Sequence, residues 1–390
     1  MSNDSNRSPS ERKEMRGAAP WLLCLIFLLI GLVAILPSPT AAVSDPGWAQ
    51  FRGNPVLTGM AAASLPSSLQ LKWAFDFGEA IESSTAIVDG VVYAASFGGE
   101  VAALHLDDGS LIWKYVGEDP FGESSPAVAG GRVYIGDLAG VVHAIDAATG
   151  EGEWTFQTES EIKASPVVVG DRILIGSYDE HLYALSVRDG SVLWKFQAQG
   201  PVHSTAAVAD GTAYISGCDE IFRAVRISDG AQAFEIPAGA YTGASPALSG
   251  DRAFFGTFNN EVLGVDLTSR SVAWRYAHPQ RNFPFQSSAA VADGKVIVGG
   301  RDRMIHCLDA ATGEARWTFM TRARVDSSPA VAGDRVYVGS NDGRLYVLDL
   351  QDGSKVWEFH AGAAISASPA IAQGRLVVGD LDGRLYCFGG

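Results

Sequence analysis

The chain has 390 residues, 47% hydrophobic and 19% charged, with 44 Asp and Glu against 29 Lys and Arg for a net charge of −15. Such a composition belongs to a core-forming protein long enough for one large domain or two. The acidic balance argues against a nucleic-acid function, which needs a basic face for phosphate.

The first element in chain order is a targeting segment. Arg7, Arg12, Lys13 and Arg16 precede an uncharged, mostly apolar run of 19 residues, Ala18 to Leu36. The basic side stays in the cytoplasm, so everything beyond Leu36 is expected to be exported, to the periplasm or cell envelope. Thr40 and Ala42 offer a small-x-small cleavage site, while a 19-residue run is also long enough to span a bilayer. A cleaved signal peptide and an uncleaved anchor both fit, and membrane contact is expected only through this segment. Cys24 lies near the start of the apolar run and not after it, which argues against a lipid-modified N-terminal cysteine. Without residues 1–42 the chain keeps 25 Lys and Arg against 41 Asp and Glu, a net of −16.

Residues 43–68 read as an extension that packs on the domain following it. They contain Trp48, in Gly47-Trp48-Ala49-Gln50-Phe51-Arg52-Gly53-Asn54, which stands outside the period described next and is expected to pack against one face of that domain.

From residue 69 to the end one unit repeats. Trp73, Trp113, Trp154, Trp194, Trp274, Trp317 and Trp357 recur at steps of 40, 41, 40, 80, 43 and 40, and Phe234 bridges the long step. A period near 40 marks a repeat architecture. Each copy holds a small-polar start with an apolar run (Ser124-Ser125-Pro126-Ala127), a β-branched run (Arg132-Val133-Tyr134-Ile135-Gly136), a third run (Leu182-Tyr183-Ala184-Leu185) and an aromatic pair (Trp154-Thr155-Phe156). All are short, rich in Val, Ile and Tyr, and bounded by turn residues, so they read as strands. Turns such as Asp89-Gly90, Asp210-Gly211 and Asp146-Ala147-Ala148-Thr149-Gly150 separate them.

Four antiparallel strands per unit, eight units and no helical pattern predict an all-β, eight-bladed β-propeller. The first aromatic strand, Leu71 to Phe77, arrives before any first-strand motif, and the last copy ends after its third strand at Leu385-Tyr386-Cys387-Phe388. The N-terminal strand is therefore expected to complete the last blade and remove the open edge. A residue present once per blade is best explained as blade-to-blade packing, so the tryptophans are expected to be structural.

Cys307 and Cys387 occupy the third-strand position held elsewhere by Ala103, Ala144, Ala184, Ala224, Gly264 and Val347. They read as small core residues that do not bridge, while Cys218 falls in a turn. Histidine spacing shows no metal motif, and no catalytic triad can be inferred.

Function is expected where the repeat is broken. First strands of a propeller line its channel, so the residue two before each aligned Ser or Thr lies at the channel mouth. That position reads Glu82, Glu123, Lys163, His203, Gly243, Gln286, Asp326 and Ser366 around the ring. It varies and is mostly polar, with an acidic arc of Asp326, Ser366, Glu82 and Glu123 facing Lys163 and His203. It reads either as a binding funnel for an ion, ligand or peptide or as a hydrated rim. Two loops on the same side also depart from the pattern: residues 277–285, three residues longer than their counterparts, and residues 119–122. Their Phe121, Phe283 and Phe285 read either as a partner-binding rim or as local loop packing.

The unit Ala144-Ile-Asp-Ala-Ala-Thr-Gly-Glu-Gly-Glu-Trp154, repeated at 307–317, resembles the tryptophan-docking repeat of the PQQ-like (quinoprotein-like) propellers. The resemblance covers about residues 70–390. Trp-x-Phe or Trp-x-Tyr replaces the Trp-Asp signature of WD40 repeats. The family has a catalytic branch, the alcohol and sugar dehydrogenases that hold pyrroloquinoline quinone (PQQ) with calcium on the channel axis. This chain lacks their adjacent cysteines, an out-of-register blade tryptophan to stack on the quinone, and the long insertions that form a lid. It is closer to the BamB-like, non-catalytic branch. The resemblance therefore implies no cofactor and a protein-binding scaffold at the cell envelope, with PQQ and calcium as the alternative.

Overall fold

Thirty-two short strands make up the regular structure of residues 47–390, the part of the chain that this computed structural model describes. The expectations on residues 1–42 lie outside the described residues. Among the described residues no helix is long and apolar enough to cross a membrane.

The strands form eight four-stranded antiparallel sheets, each a blade. The N-terminal strand β1 (Gln70–Asp76) waits outside the first blade, which is built from β2 (Ala86–Val88), β3 (Val91–Ala95), β4 (Glu100–His105) and β5 (Leu111–Val116). Six further blades repeat this order. The eighth has three C-terminal strands, Ala370–Ala372, Arg375–Gly379 and Arg384–Gly389, and β1 supplies its fourth. In that pairing Trp73 faces Cys387 and Phe75 faces Leu385, with a bulge between Leu71 and Trp73. The same bulge interrupts the third-to-fourth strand pairing of the other blades, as between Ala144 and Ile145 or Cys307 and Leu308. β1 thus reproduces the local geometry of a covalently continuous fourth strand.

The register explains why the third strand carries a small residue. Ala103, Ala144, Ala184, Gly264 and Cys307 lie directly opposite Trp113, Trp154, Trp194, Trp274 and Trp317, so the indole crosses over them. Cys307 and Cys387 are free and buried, and burial pushes both thiols up to about 12. Each indole then docks on the next blade. The indole N–H of Trp73, Trp113, Trp194, Trp274 and Trp317 donates to a carbonyl about one period ahead, at 2.8–3.2 Å. Its ring lies on a left-handed glycine in that blade's last turn: Gly109 under Trp73, Gly150 under Trp113, Gly313 under Trp274. Where the ladder reads Phe234, the glycine is replaced by Arg270, whose guanidinium covers the smaller ring at 4.9 Å.

The small-polar start of each unit forms a belt around the channel. The backbone N–H of Ser84, Ser125, Ser165, Thr205, Ser245, Ser288 and Ser328 each donates to the aligned hydroxyl of the next blade at 2.9–3.0 Å. At the eighth junction the Ser84 hydroxyl donates to the Ser368 carbonyl at 2.7 Å. Removing one hydroxyl strands a buried N–H, which costs about 1–3 kcal/mol. Ser165→Ala is expected to lose that much in urea melts, whereas Ser191→Ala, an exposed turn position, is expected to change little.

The extension, expected to pack on the propeller with Trp48 against one of its faces, enters the channel. Residues 48–61 hydrogen-bond to the middle residues of six first strands: Ile87, Val128, Val208, Leu248, Val291 and Val331, at 2.7–2.9 Å. Trp48 and Leu57 are each 1% exposed. The segment closes the channel just beyond the hydroxyl belt.

Candidate functional site: a blind polar cup

With the channel closed on one side, its other end becomes a cup of about 210 Å³. Its walls contain all eight residues of the variable ring, Glu82, Glu123, Lys163, His203, Gly243, Gln286, Asp326 and Ser366. Six hydroxyls of the belt lie below them, and Phe51 of the plug lines the bottom. The first strands begin at the axis, so a residue two before each belt position has no neighbouring strand and projects into the opening.

A second ring, missed in the sequence reading, lies just beyond the end of each second strand: Phe97, Leu138, Tyr178, Cys218, Phe258, Arg301, Asn341 and Leu381. Each donates its backbone N–H to a carbonyl of the loop entering the first strand of its own blade, from Ala80 through Ala364, at 2.8–3.2 Å. These eight equivalent bonds fix the rim. Arg301, Asn341 and Leu381 reach the cup, as does Arg324 of the adjoining loop. The signal was present: this register also varies in type around the ring while its neighbours repeat.

The structure redraws the charge map. Asp326 is not part of a bare acidic arc, because Arg301 Nε and Arg324 Nε meet its carboxylate at 2.9 and 2.7 Å. Arg301 also bonds the Gln286 side chain. His203 is not a basic pole. Burial, reinforced by Lys163, lowers its pKa to about 4, so the ring is neutral near pH 7. The Tyr178 hydroxyl and His203 Nδ1 are hydrogen-bonded, and Nε2 faces Glu123 at 3.5 Å. Lys163 lies 3.8 Å from Glu161 and over the Tyr178 ring. Glu82 and Glu123 remain as neighbouring carboxylates that, among the described residues, have no Lys or Arg partner at hydrogen-bonding distance. Desolvation raises both pKa values, and for Glu82 the charge of Glu123 adds to it. They are the two groups of the cup that gain most from a cation.

The loop phenylalanines separate. Phe121 and Phe285 are 0% and 1% exposed and form no binding surface. Phe121 packs edge-on against His143 at 5.3 Å and Phe285 against His306 at 5.0 Å, and each histidine is held by an aspartate, Asp137 or Asp302. For Phe285 the signal was positional. It sits one before Gln286, in register with Ile81, Ile162, Val202, Val325 and Ile365, each buried against the last residues of a second strand. Phe283 is 48% exposed. It is joined on adjacent parts of the rim by exposed Tyr241 and Phe258, which the sequence reading did not single out. The Phe258 ring covers Gly243, the ring position diametrically opposite Glu82. The mouth is therefore acidic on one side and aromatic on the other.

Among the described residues no three His, Cys, Asp or Glu side chains gather as a metal site. A family model described as outer membrane protein assembly factor BamB matches residues 98–275 and 258–389. No curated protein matches the chain by sequence. Among solved structures, BamB from Moraxella catarrhalis superposes with a TM-score of 0.70 at 19% identity, covering 83% of this chain and all (100%) of that one. Quinohemoprotein alcohol dehydrogenase from Comamonas testosteroni gives 0.77 at 14% identity, covering 88% and 80%. A europium-containing methanol dehydrogenase gives 0.73 at 15%, covering 88% and 98%. At these identities the likeness is one of fold.

Proposed function

This chain belongs to the family described as outer membrane protein assembly factor BamB, and on that premise we propose that it is an exported, non-catalytic scaffold that binds a protein partner at the cell envelope. The observation that carries this reading is the mouth itself. Its variable residues are the part of the repeat freed from packing, and they are held on a rim fixed by eight backbone bonds. Two under-partnered carboxylates, Glu82 and Glu123, face three exposed aromatics, Tyr241, Phe258 and Phe283. That combination suits a partner segment presenting a basic residue beside an apolar one.

The other reading is a PQQ-dependent alcohol or sugar dehydrogenase with the quinone on the channel axis. PQQ is a planar tricarboxylate that needs free cations, a flat aromatic platform and, with calcium, gathered oxygen donors. In this cup Arg301 and Arg324 are turned to Asp326, and Lys163 faces Glu161. Glu82 and Glu123 would meet the quinone's carboxylates with like charge. The seven ladder tryptophans belong to the blade packing, and Trp48 is buried in the plug. The residues present do not fit the quinone, and no step is routed through it.

Two experiments test the scaffold reading. A photo-crosslinking residue at Phe283 or Tyr241 is expected to capture one discrete partner in native membranes. Glu82→Lys with Glu123→Lys is expected to lower that adduct by about tenfold or more, through like-charge contact with a basic segment. An adduct unchanged by both the charge reversal and Phe258→Ser would remove this face from consideration. Stoichiometric PQQ binding with calcium, accompanied by dye reduction with alcohols or sugars, would overturn the scaffold reading as a whole.

A further inference from the structure

The plug carries chemistry beyond closing the cup. Arg52 is 1% exposed, and among the described residues no carboxylate forms an ion pair with it. Its guanidinium packs flat on Gly59, where a Cβ would collide with it, and one N–H from Nη2 donates to the Ala289 carbonyl at 2.9 Å. Nε and Nη1 are buried and reach no acceptor. Burial alone pushes its pKa down to about 9, so the group stays charged at neutral pH. A buried charge without a counter-charge is costly, and so is each buried N–H without an acceptor.

The same short segment holds two more such donors. Trp48 Nε1 and Gln50 Nε2 are buried and reach no acceptor. All four unmatched atoms on the plug are N–H donors, and none is an oxygen acceptor. A site meant for water alone would present both kinds, because each water donates as well as accepts. The unmatched Nε and Nη1 of the charged guanidinium select a species that accepts only and carries one negative charge. The level of the channel also fits: the guanidinium donates to Ala289, which directly follows the belt residue Ser288 and so lies between the hydroxyl belt and the plug.

We propose that the closed channel holds a monovalent inorganic anion of the halide class against the Arg52 guanidinium, and that this anion locks the N-terminal plug into the propeller. The anion supplies the counter-charge that the fold omits. It also couples the segment following the exported chain's N-terminal region to six first strands at once, since the plug bonds to all six. The site is separate from the cup, whose lining includes Phe51 but not Arg52.

The purified protein is melted in sodium chloride, sodium bromide and sodium gluconate at equal ionic strength. The small halides are expected to raise Tm in a saturable way, by about 5 °C at a hundredfold excess over Kd, with gluconate leaving it low. Crystals grown in bromide are expected to show an anomalous peak beside Arg52. Arg52→Met is expected to remove the halide dependence. If that variant does not fold, the bromide peak in the unaltered protein still decides the matter. Equal Tm in all three salts, or density at Arg52 with no anomalous signal, would mean that water fills the site and would overturn the proposal.

Discussion

A chain that begins at residue 78, lacking β1 and the plug, is expected not to fold cooperatively at 25 °C. Its eighth blade would present the C-terminal strand Arg384–Gly389 as an open edge, and Trp73 would be missing from its site on Gly109. Losing one buried tryptophan costs about 3–5 kcal/mol. The ladder of β1 and the packing of Phe75 and Phe77 go with it, which exhausts a typical stability of about 5–15 kcal/mol. The decisive comparison is a permutant in which residues 70–77 follow Gly390 through an Asn-Gly turn. Gln70 lies directly opposite Gly389, so a tight hairpin suffices. The permutant is expected to regain a single sharp transition in circular dichroism, below that of the full chain because the plug is absent. If the truncated chain melted as sharply as the permutant, strand-exchanged closure would not be what holds the ring together.

Gly313→Ala is expected to destabilise by about 3 kcal/mol or more, against about 1 kcal/mol for Gly211→Ala. Both glycines are left-handed, with φ of +76° and +71°. They differ in what a methyl group would meet. At Gly211 nothing lies within 4 Å, so only backbone strain is felt. At Gly313 the Cβ would sit 2.6 Å from the Trp274 ring, and the indole would have to leave the next blade and its bond to the Ala310 carbonyl. Denaturant midpoints of the two variants measure the difference directly. Equal losses would show that the indole has room to move, and the ladder would not be the close-packed seam described above. The ring has a natural control in Phe234 with Arg270, where the smaller aromatic and the larger partner exchange together.

Much of the site was legible before any coordinates. The eight ring positions follow from counting two residues back from an aligned hydroxyl, and all eight line the cup. The chemistry of those positions was not legible. Asp326 looked like one member of an acidic arc until Arg301 and Arg324, from separate turns, were found on its carboxylate. His203 looked basic until its burial was seen. Phe121 and Phe285 looked available for a partner, yet each fills a space beside a histidine held by an aspartate on another strand turn. The Arg301 contact to Asp326 and the packing of each phenylalanine on its histidine join residues from different loops, turns or strands, and the repeat says nothing about side chains that break it.

By itself the sequence determined the architecture: a period near 40 with four strand patterns per unit, and aromatic and third-strand runs left unpaired at the two ends, admit one closed ring of eight blades. Periodic packing is local, and local constraints are written into every copy. Only the tertiary structure decided that residues 48–61 enter the channel, that they close the cup beneath its polar mouth, and that Arg52 is buried there without a counter-charge. That segment occurs once, and its bonds run through backbone groups of six separate blades. Its place depends on the ring having formed around it, which no spacing within the segment itself can express.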